Sequence, residues 1–420
     1  MRRAALGFCI LMLTLSAVPA GAGVTAAAGP GPGYFATDNV GWVRNIPLHP
    51  DSAGAAFHGS FMYITDSQKL TIYNISDPLN PVPTSVLPLP QTPYAPEEDV
   101  NTNGSLVIIT SPLGRGTSGM YVIDVKDKAN PQIIGTLAGV ESHTTSCLLN
   151  CTWAYNSNGQ IIDLRDPTKP TLAGNWRTTV AAPSAHDVTE ISPGLVMTSS
   201  DPLYLLDARE NPAKPTVITT AKPKTNRFVH SNVWPGGGTD KYLLVGGETG
   251  GNCNTTTAGA FMTFSTPEYD ETGKMVKGFQ QLDEYRVGTG LYPDGKSPYD
   301  TFCAHWFTTH PKLYKDGGLL AMGWYEHGTR FLDVNKDTGK ITEVGYFLPV
   351  GGSTSAAYWI NDTVLYNVDY QRGIDIITFT NTPATGEVRT GGAAAASATG
   401  LPKVTLPLAR RPEYACRLTT

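Results

Sequence analysis

The sequence predicts an all-β fold, a seven-bladed β-propeller of four-stranded blades that is closed by the N-terminal strand. Three observations favour this fold. A short pattern of apolar run, Asp turn and Pro recurs along the chain. The 420 residues include 44 Gly and 32 Pro, which suits many tight turns and disfavours long helices. A segment that precedes the first repeat resembles the last strand of later repeats.

The recurring pattern is an apolar run ending in Asp, a polar turn, a Pro and a second apolar run. Its clear copies are residues 70–81, 120–131, 160–170 and 203–215, and looser copies without the Pro are residues 330–334 and 373–377. Successive Pro residues lie 50, 39 and 45 positions apart, the length of one blade. Asp caps such turns, and Pro is tolerated where an edge strand begins. A β-sandwich shares such turns, but the sustained period favours a propeller.

Seven units are predicted to begin near residues 49, 91, 141, 181, 227, 290 and 351. The unit from 227 carries insertions at 236–238 and around 254–257, and the unit from 290 has a longer first turn at 311–318. The seventh unit lacks a fourth strand of its own. Residues 39–48 resemble the fourth strands at 131–135 and 341–345. We expect this segment to complete the last blade, which removes the open sheet edges.

The ends of the chain predict four segments. Residues 1–22 resemble a signal peptide, with Arg2 and Arg3 before an apolar stretch that is too short to span a bilayer. Residues 23–33 are a Gly- and Ala-rich leader, residues 34–385 the propeller, and residues 386–420 a low-complexity linker and tail. We therefore expect a secreted, extracellular protein with no membrane span in the mature chain. An uncleaved N-terminal anchor is the alternative.

The net charge and the cysteines indicate which partners and disulfide bonds to expect. The net charge is −5 without a long basic run, so nucleic acid is not an expected partner. Export permits disulfide bonds. Cys147 and Cys151 flank a predicted hairpin tip and could pair, Cys253 could pair with Cys303, and Cys416 would remain odd. A cysteine metal site is the weaker alternative, because no C-x-x-C spacing occurs.

Residues 161–170, with the sequence Ile-Ile-Asp-Leu-Arg-Asp-Pro-Thr-Lys-Pro, resemble the LVIVD repeat. Residues 122–125 and 205–208 are similar to it. The resemblance extends over about residues 34–385 and implies an exported chain of propeller architecture. It implies no activity, since the LVIVD family has no single assigned function. Units five and six depart from the pattern, because they carry inserts and lack the Asp-Pro turn.

The histidines carry most of the chemical information. Four of the eight occupy the same place in their units, on the predicted first strand: His143, His186, His230 and His305. In the second unit the equivalent position is Glu97, and Glu98 is adjacent to it. First strands line the central channel of a propeller, so these side chains are predicted to meet on the axis.

Four imidazoles and a carboxylate at one level would form a site for a transition metal, namely Cu, Fe, Zn or Mn. Asp187, Glu141 and Glu98 are candidates to orient the imidazole N–H groups. A non-metal channel, in which the histidines bind water and backbone, is the alternative. His310 precedes a Pro and is predicted at the surface. His327 and Glu248 are weaker candidates for the channel mouth.

Two functions follow from these residues. In the first, the four histidines bind the metal of a secreted enzyme, and Glu97 or Glu98 is a fifth ligand or general base. Such an enzyme would be an oxidoreductase with Cu or Fe, and its substrate a small molecule in the channel. Carotenoid oxygenases and methanethiol oxidases are similar to this chain only in the layout of their histidines.

In the second function, a non-catalytic propeller binds a protein or surface through loops near 250–260 and 290–300, with Tyr292, Tyr299 and Trp306. A metal carrier is a third possibility.

Overall fold

The computed structural model describes residues 33–47, 52–66, 68–89, 98, 100–110, 119–140, 142–224, 228–248, 259–287 and 304–391. Seven four-stranded antiparallel sheets form the blades of a ring. Both the propeller fold and the blade count are thereby confirmed. The propeller is built from alternating runs of Val, Ile, Leu and aromatic residues, which suit strands buried on both faces.

The described chain starts with β1 (Tyr34–Thr37) and β2 (Val40–Ile46). Blade one contains β3 (Ala55–His58), β4 (Phe61–Thr65), β5 (Lys69–Asn74) and β6 (Val82–Pro88). Blade two contains β7 (Asn101–Thr102), β8 (Leu106–Thr110), β9 (Gly119–Asp124) and β10 (Gln132–Ala138). Blade three contains β11 (Thr145–Leu148), β12 (Trp153–Asn156), β13 (Gln160–Asp163) and β14 (Thr171–Asn175). A helical turn, α1 (Trp176–Val180), leads to the next blade.

Blade four contains β15 (Asp187–Ser192), β16 (Leu195–Ser199), β17 (Leu203–Asp207) and β18 (Thr216–Ala221). Blade five contains β19 (Val229–Val233), the turn α2 (Pro235–Gly238), β20 (Tyr242–Gly247), β21 (Phe261–Ser265), an inserted hairpin of β22 (Glu268–Tyr269) and β23 (Met275–Lys277), and β24 (Gln280–Tyr285). Blade six contains β25 (Phe307–Tyr314), β26 (Gly318–Gly323), β27 (Thr329–Val334) and β28 (Ile341–Pro349). Blade seven contains β29 (Thr354–Trp359), β30 (Val364–Asp369) and β31 (Gly373–Phe379), and the last strand is β32 (Val388–Gly391).

The N-terminal strand closes the ring, as predicted. Strand β2 is the fourth strand of blade seven and pairs with β31, with Trp42 opposite Ile377. Strand β1 adds to the outer edge of blade six, between β28 and β32. The paired strands thus continue to Gly391, six residues beyond the predicted end of the propeller.

Among the described residues, seven hydrophobic clusters lie between neighbouring blades, one at each interface. Between blades five and six, for example, Leu244 and Phe261 pack with Leu320 and Leu332. Equivalent clusters fill the other six interfaces, including the interface of blades seven and one across the closure. Since each blade buries both faces, its central strands are almost wholly apolar.

The repeated turns have the predicted chemistry. Asp77 accepts a hydrogen bond from the backbone N–H of Leu79, and Asp127 and Asp166 make the equivalent bond in the next two blades. Pro81 directly precedes the fourth strand β6, where its missing N–H costs no ladder bond. In all seven blades a bulge interrupts the pairing of the third and fourth strands, which increases the local twist.

Cys147 and Cys151 form a disulfide bond across the β11–β12 turn, as predicted. The three residues from Leu149 to Cys151 all have positive φ angles of 50–60°, a run that non-glycine residues rarely adopt. The predicted pair Cys253 and Cys303, the odd Cys416 and the predicted signal peptide lie outside the described residues. Within the described part of the chain, no helix is both long and apolar enough to cross a bilayer.

Candidate metal centre

Glu98 and the four predicted histidines converge on the propeller axis from five different blades. Glu98 lies just before the first strand of blade two, and its side chain is 3% exposed. His230 lies on β19, whereas His143, His186 and His305 lie one or two residues before the first strands of their blades. The predicted convergence is therefore present, although only His230 lies within the bounds of its strand.

The Glu98 carboxylate contacts all four imidazoles. Its Oε1 atom lies 3.1 Å from Nε2 of His143. Its Oε2 atom lies 3.4 Å from Nε2 of His230, 3.6 Å from that of His305 and 3.7 Å from that of His186. The ring centroids of neighbouring histidines are 3.8–5.1 Å apart, with His186 and His230 stacked. Ligands bound to one metal at about 2.1 Å in a tetrahedron are about 3.4 Å apart, so the donor spacing suits a metal.

Several of these ligand atoms have no other partner. Oε2 of Glu98 and Nε2 of His230 and His305 are buried without a hydrogen bond to any described residue. Buried polar atoms are normally satisfied, because desolvation without a partner is costly. A bound cation would satisfy all three atoms at once.

The Nδ1 atoms of two imidazoles are held by the backbone of the next blade. Nδ1 of His186 lies 3.1 Å from the carbonyl oxygen of His230, and Nδ1 of His305 lies 2.8 Å from that of Ser355. In such a pairing Nδ1 carries the proton, which leaves the Nε2 lone pair for a metal. The imidazole N–H groups of His186 and His305 are thus oriented by backbone carbonyls, whereas side chains such as Asp187 are predicted for this role. Asp187 instead accepts a hydrogen bond from the Thr189 hydroxyl.

The local sequence fixes the level of each histidine. A hydroxyl group one position after the cluster position donates to a backbone carbonyl in the following blade. The pairs are Thr144 with His186, Ser231 with His305 and Ser355 with Ala53. Gly54 is required beside Glu98, because a Cβ atom at residue 54 would lie 1.9 Å from the Glu98 carbonyl oxygen.

A second carboxylate and two tyrosines complete the site. The Tyr370 hydroxyl donates to Oε1 of Glu98 at 2.7 Å, and the Tyr325 hydroxyl donates to Oε1 of Glu248 at 2.6 Å. The Tyr325 ring lies 4.7 Å from the His305 ring. Glu248 was predicted only as a weak candidate, and the two tyrosines were not predicted. All three follow the second strand of a blade, a recurring position that could have revealed them.

The pKa values follow from burial and from these neighbours. Burial disfavours the charged form of Glu98, but the imidazoles of His143 and His305 hold its pKa well below the ordinary range. Burial likewise opposes charging of His143, yet the Glu98 carboxylate raises the pKa of that imidazole. Burial and the neighbouring His230 lower the pKa of His305 to about 3. His186 also has a pKa well below its ordinary value, from burial first and then His230.

The six ligands form three overlapping groups. In each group all ligand atoms lie within 4.8 Å of one another: Glu98 with His143 and His186; Glu98 with His230 and His305; and Glu248 with His186 and His230. The cluster can therefore hold a metal ion. Among the described residues, no larger set meets this distance.

A cavity of about 490 Å³ lies beside this cluster. Asp187 and Trp306, which line it, directly follow His186 and His305 in sequence, and Asn232 lies two residues after His230. His58 and the disulfide-bonded cysteines also line it. The lining combines polar and apolar side chains and contains no Lys or Arg among the described residues.

The remaining predicted residues have varied outcomes. Glu97, Glu141, Tyr292 and Tyr299 lie outside the described residues. Trp306 lines the cavity, with its ring centroid 5.0 Å from that of His230.

The surface position predicted for His310 is wrong, because this side chain is 2% exposed. Its Nδ1 atom accepts hydrogen bonds from the backbone of Lys312 and Leu313, and Nε2 meets the carbonyl oxygen of Asp362. A bulge in β25 turns it inwards. His327 is also buried, and burial followed by Arg330 lowers its pKa to about 3.

The comparisons with known proteins agree on the fold. The LVIVD repeat model matches residues 52–84, so the chain carries this repeat. The β-propeller domain of Cps50 (Swd1) from Myceliophteria thermophila is similar in structure, with a TM-score of 0.55, 11% identity, and coverage of 81% of this chain and 100% of that chain. The periplasmic gluconolactonase PpgL from Pseudomonas aeruginosa has a TM-score of 0.53, 10% identity, and coverage of 86% and 99%. No curated protein matches the sequence.

Proposed function

We propose that this LVIVD-repeat propeller is a metal-dependent enzyme whose transition-metal centre lies on the channel axis. One observation carries the proposal. The Glu98 carboxylate lies within 3.1–3.7 Å of Nε2 of four histidines from four other blades, and all but His143 of these five side chains are buried. Such a set of nitrogen and oxygen donors is typical of Cu, Fe, Zn or Mn sites.

The alternative of a metal-free, hydrogen-bonded channel is less favourable. Water-lined imidazoles would be expected to donate and accept hydrogen bonds. Instead, Nδ1 and Nε2 of His230 are both buried without a hydrogen bond to any residue that the structure describes. A metal bound at Nε2 would remove part of this cost.

The bound metal would act as a Lewis acid or a redox centre, and Cu or Fe would favour oxidation. Glu98 would serve as a metal ligand through its carboxylate. Tyr370 would keep the carboxylate in place through its hydrogen bond to Oε1. Glu97 keeps its proposed role as an alternative base.

The cavity supports a small molecule as the substrate. Its volume of about 490 Å³ is within the range of small-ligand pockets. Asp187 and Glu190 contribute carboxyl groups to the lining, and Asn101 and Asn232 contribute amides. We propose that the substrate is a polar molecule that carries no net negative charge.

We further propose that the chain is exported. Residues 1–22 have the charged start, apolar stretch and small residues of a signal peptide. The disulfide bond between Cys147 and Cys151 supports an oxidising compartment. Mass determination of protein secreted by the source cells should give an N-terminus near residue 23, and an intact Met1 would contradict export with cleavage.

Elemental analysis of the purified full chain tests the metal. We expect bound transition metal in the parent protein and loss of at least nine-tenths of it in a His186→Ala, His230→Ala double variant. Exposed His58 lies outside the ligand groups, so His58→Ala is a matched control that should retain the metal. Oxygen consumption with hydroxyl-bearing small molecules then tests turnover. Metal-free parent protein that resists loading would refute the proposal.

A non-catalytic binding propeller is the second candidate. The inserted hairpin of blade five favours it, because Tyr269 is 52% exposed and Val276 is 62% exposed there. Exposed apolar side chains on a protruding loop are typical of contact surfaces. Binding to the surface of the source cells that is lost in Tyr269→Ser, Val276→Ser and retained without metal would favour this candidate.

A further inference from the structure

We infer that the cluster binds two metal ions bridged by the Glu98 carboxylate, rather than one ion held by all four histidines. This inference rests on the proposed function, since it requires that the cluster binds metal. It concerns the number and arrangement of the ions.

The first argument is distance. Donors that share one ion through bonds of about 2.1 Å are at most about 4.2 Å apart. All four histidines do not fit within even 4.8 Å of one another, because each group that meets this limit contains only two of them. A single ion would therefore leave two imidazoles outside its coordination sphere.

The second argument is the arrangement of the groups. His143 and His186 form one group with Glu98, and His230 and His305 form another with the same carboxylate. The two groups have no histidine in common and together use all four. Glu98 is thus positioned as a shared ligand between two pairs of imidazoles.

The third argument is how the two oxygens of Glu98 are divided. Oε1 is nearest to His143, at 3.1 Å, whereas Oε2 is nearest to His230 and His305, at 3.4 and 3.6 Å, and lies 3.7 Å from His186. A carboxylate with one oxygen toward His143 and the other toward His230 and His305 can bridge two cations, which in dinuclear enzyme sites are about 3.5–4 Å apart. His186 would then complete the coordination of the ion that His143 binds, as the grouping of these two histidines with Glu98 allows. The buried atoms without hydrogen bonds, Oε2 of Glu98 and Nε2 of His230 and His305, lie on the second side.

The third group, Glu248 with His186 and His230, is the competing arrangement. It takes one histidine from each pair, so it would hold a single ion and leave His143 and His305 unused. The two arrangements therefore predict different effects of the same substitutions.

Copper(II) loading of the metal-stripped full chain distinguishes them. We expect two copper ions per chain and an electron paramagnetic resonance signal that accounts for clearly less than the total copper, because neighbouring Cu(II) ions couple. His143→Gln and His305→Gln should each retain one ion with a full signal. His58→Ala should retain both copper ions and the signal of the parent, because His58 lies outside the ligand groups, and circular dichroism should confirm that each variant is folded.

Three outcomes would overturn the inference. One copper per chain with a full signal in the parent would show a single ion, and its loss in Glu248→Gln, with His143→Gln unaffected, would assign it to the third group. Two ions with a full, uncoupled signal would show that Glu98 does not bridge them. No copper at all would refute the metal proposal itself, a result distinguishable from the first two.

Discussion

The hydrogen bond from Tyr370 to Glu98 gives the sharpest test of the metal centre outside the ligands themselves. Both side chains are buried, at 6% and 3% exposure, and the hydroxyl lies 2.7 Å from Oε1. We expect Tyr370→Phe to weaken metal binding, because the carboxylate loses the group that orients it.

The size of the effect follows from two independent magnitudes. A hydrogen bond to a charged group contributes about 1.5–3 kcal/mol, and loss of a partner of a metal ligand lowers metal affinity about 10- to 100-fold. The second range corresponds to about 1.4–2.7 kcal/mol, so the two agree. Tyr370→Phe should therefore raise the dissociation constant for metal by about one to two orders of magnitude.

The assay is competition with a chelator of known affinity, followed by thermal unfolding without metal. Tyr63→Phe is the matched control, because the Tyr63 hydroxyl is buried without a hydrogen bond to the described part of the chain. This control should bind metal like the parent. An affinity of Tyr370→Phe within about twofold of the parent, together with lower thermal stability, would refute the reasoning. Tyr370 would then only stabilise the fold.

Three further predictions concern the frame around the centre. Gly54→Ala should lower the free energy of unfolding by about 1–3 kcal/mol and weaken metal binding, because the new Cβ atom would collide with the Glu98 backbone. Thermal unfolding measures the first effect, and chelator competition measures the second. Replacing Cys147 and Cys151 by Ser should cost about 2 kcal/mol in denaturant unfolding, the loop-closure entropy of so short a loop, and leave metal content unchanged. His310→Ala should cost about 2–4 kcal/mol and also leave metal content unchanged, because both ring nitrogens bind backbone groups.

Each of these predictions has a control within the chain. At Gly278 the nearest atom to a new Cβ is a Thr219 hydroxyl at 3.9 Å, so Gly278→Ala should be nearly neutral. A reducing agent should destabilise the parent and leave the double Ser variant unaffected. Loss of metal from His310→Ala while it remains folded would contradict its structural role.

The fold could be predicted because its signal is repeated. The first three blades have the same Asp-capped turn, and all blades need doubly buried strands, so four clear copies of the pattern are enough to set the period. Closure was predictable because residues 39–48 have the pattern of a fourth strand. The hairpin at 268–277 was missed, since an insertion of polar residues between two strands breaks the repeat without leaving a pattern of its own.

The candidate site could be predicted in part for the same reason. The histidines share one repeat position, and the ring symmetry brings that position to the axis. In blade two the equivalent repeat position is Glu97, whereas in the structure Glu98 contacts the four histidines. The backbone N–H of Glu98 donates a hydrogen bond to the carbonyl oxygen of His143. Tyr325 and Tyr370 were missed, because they come from a different repeat position. The environment of His310 depends on a bulge, which no local sequence pattern indicates.

The way the ring closes also determines when the protein can fold. Blade seven lacks its outer strand until residues 40–46 meet residues 373–379, which are more than 300 positions further along the chain. Contacts between such distant segments form slowly, so the last step of folding should wait for almost the entire chain. A chain released before residue 379 would present an open blade and an unsealed interface between blades seven and one. Synthesis of almost the whole propeller and closure of the ring around the candidate metal centre are thereby coupled.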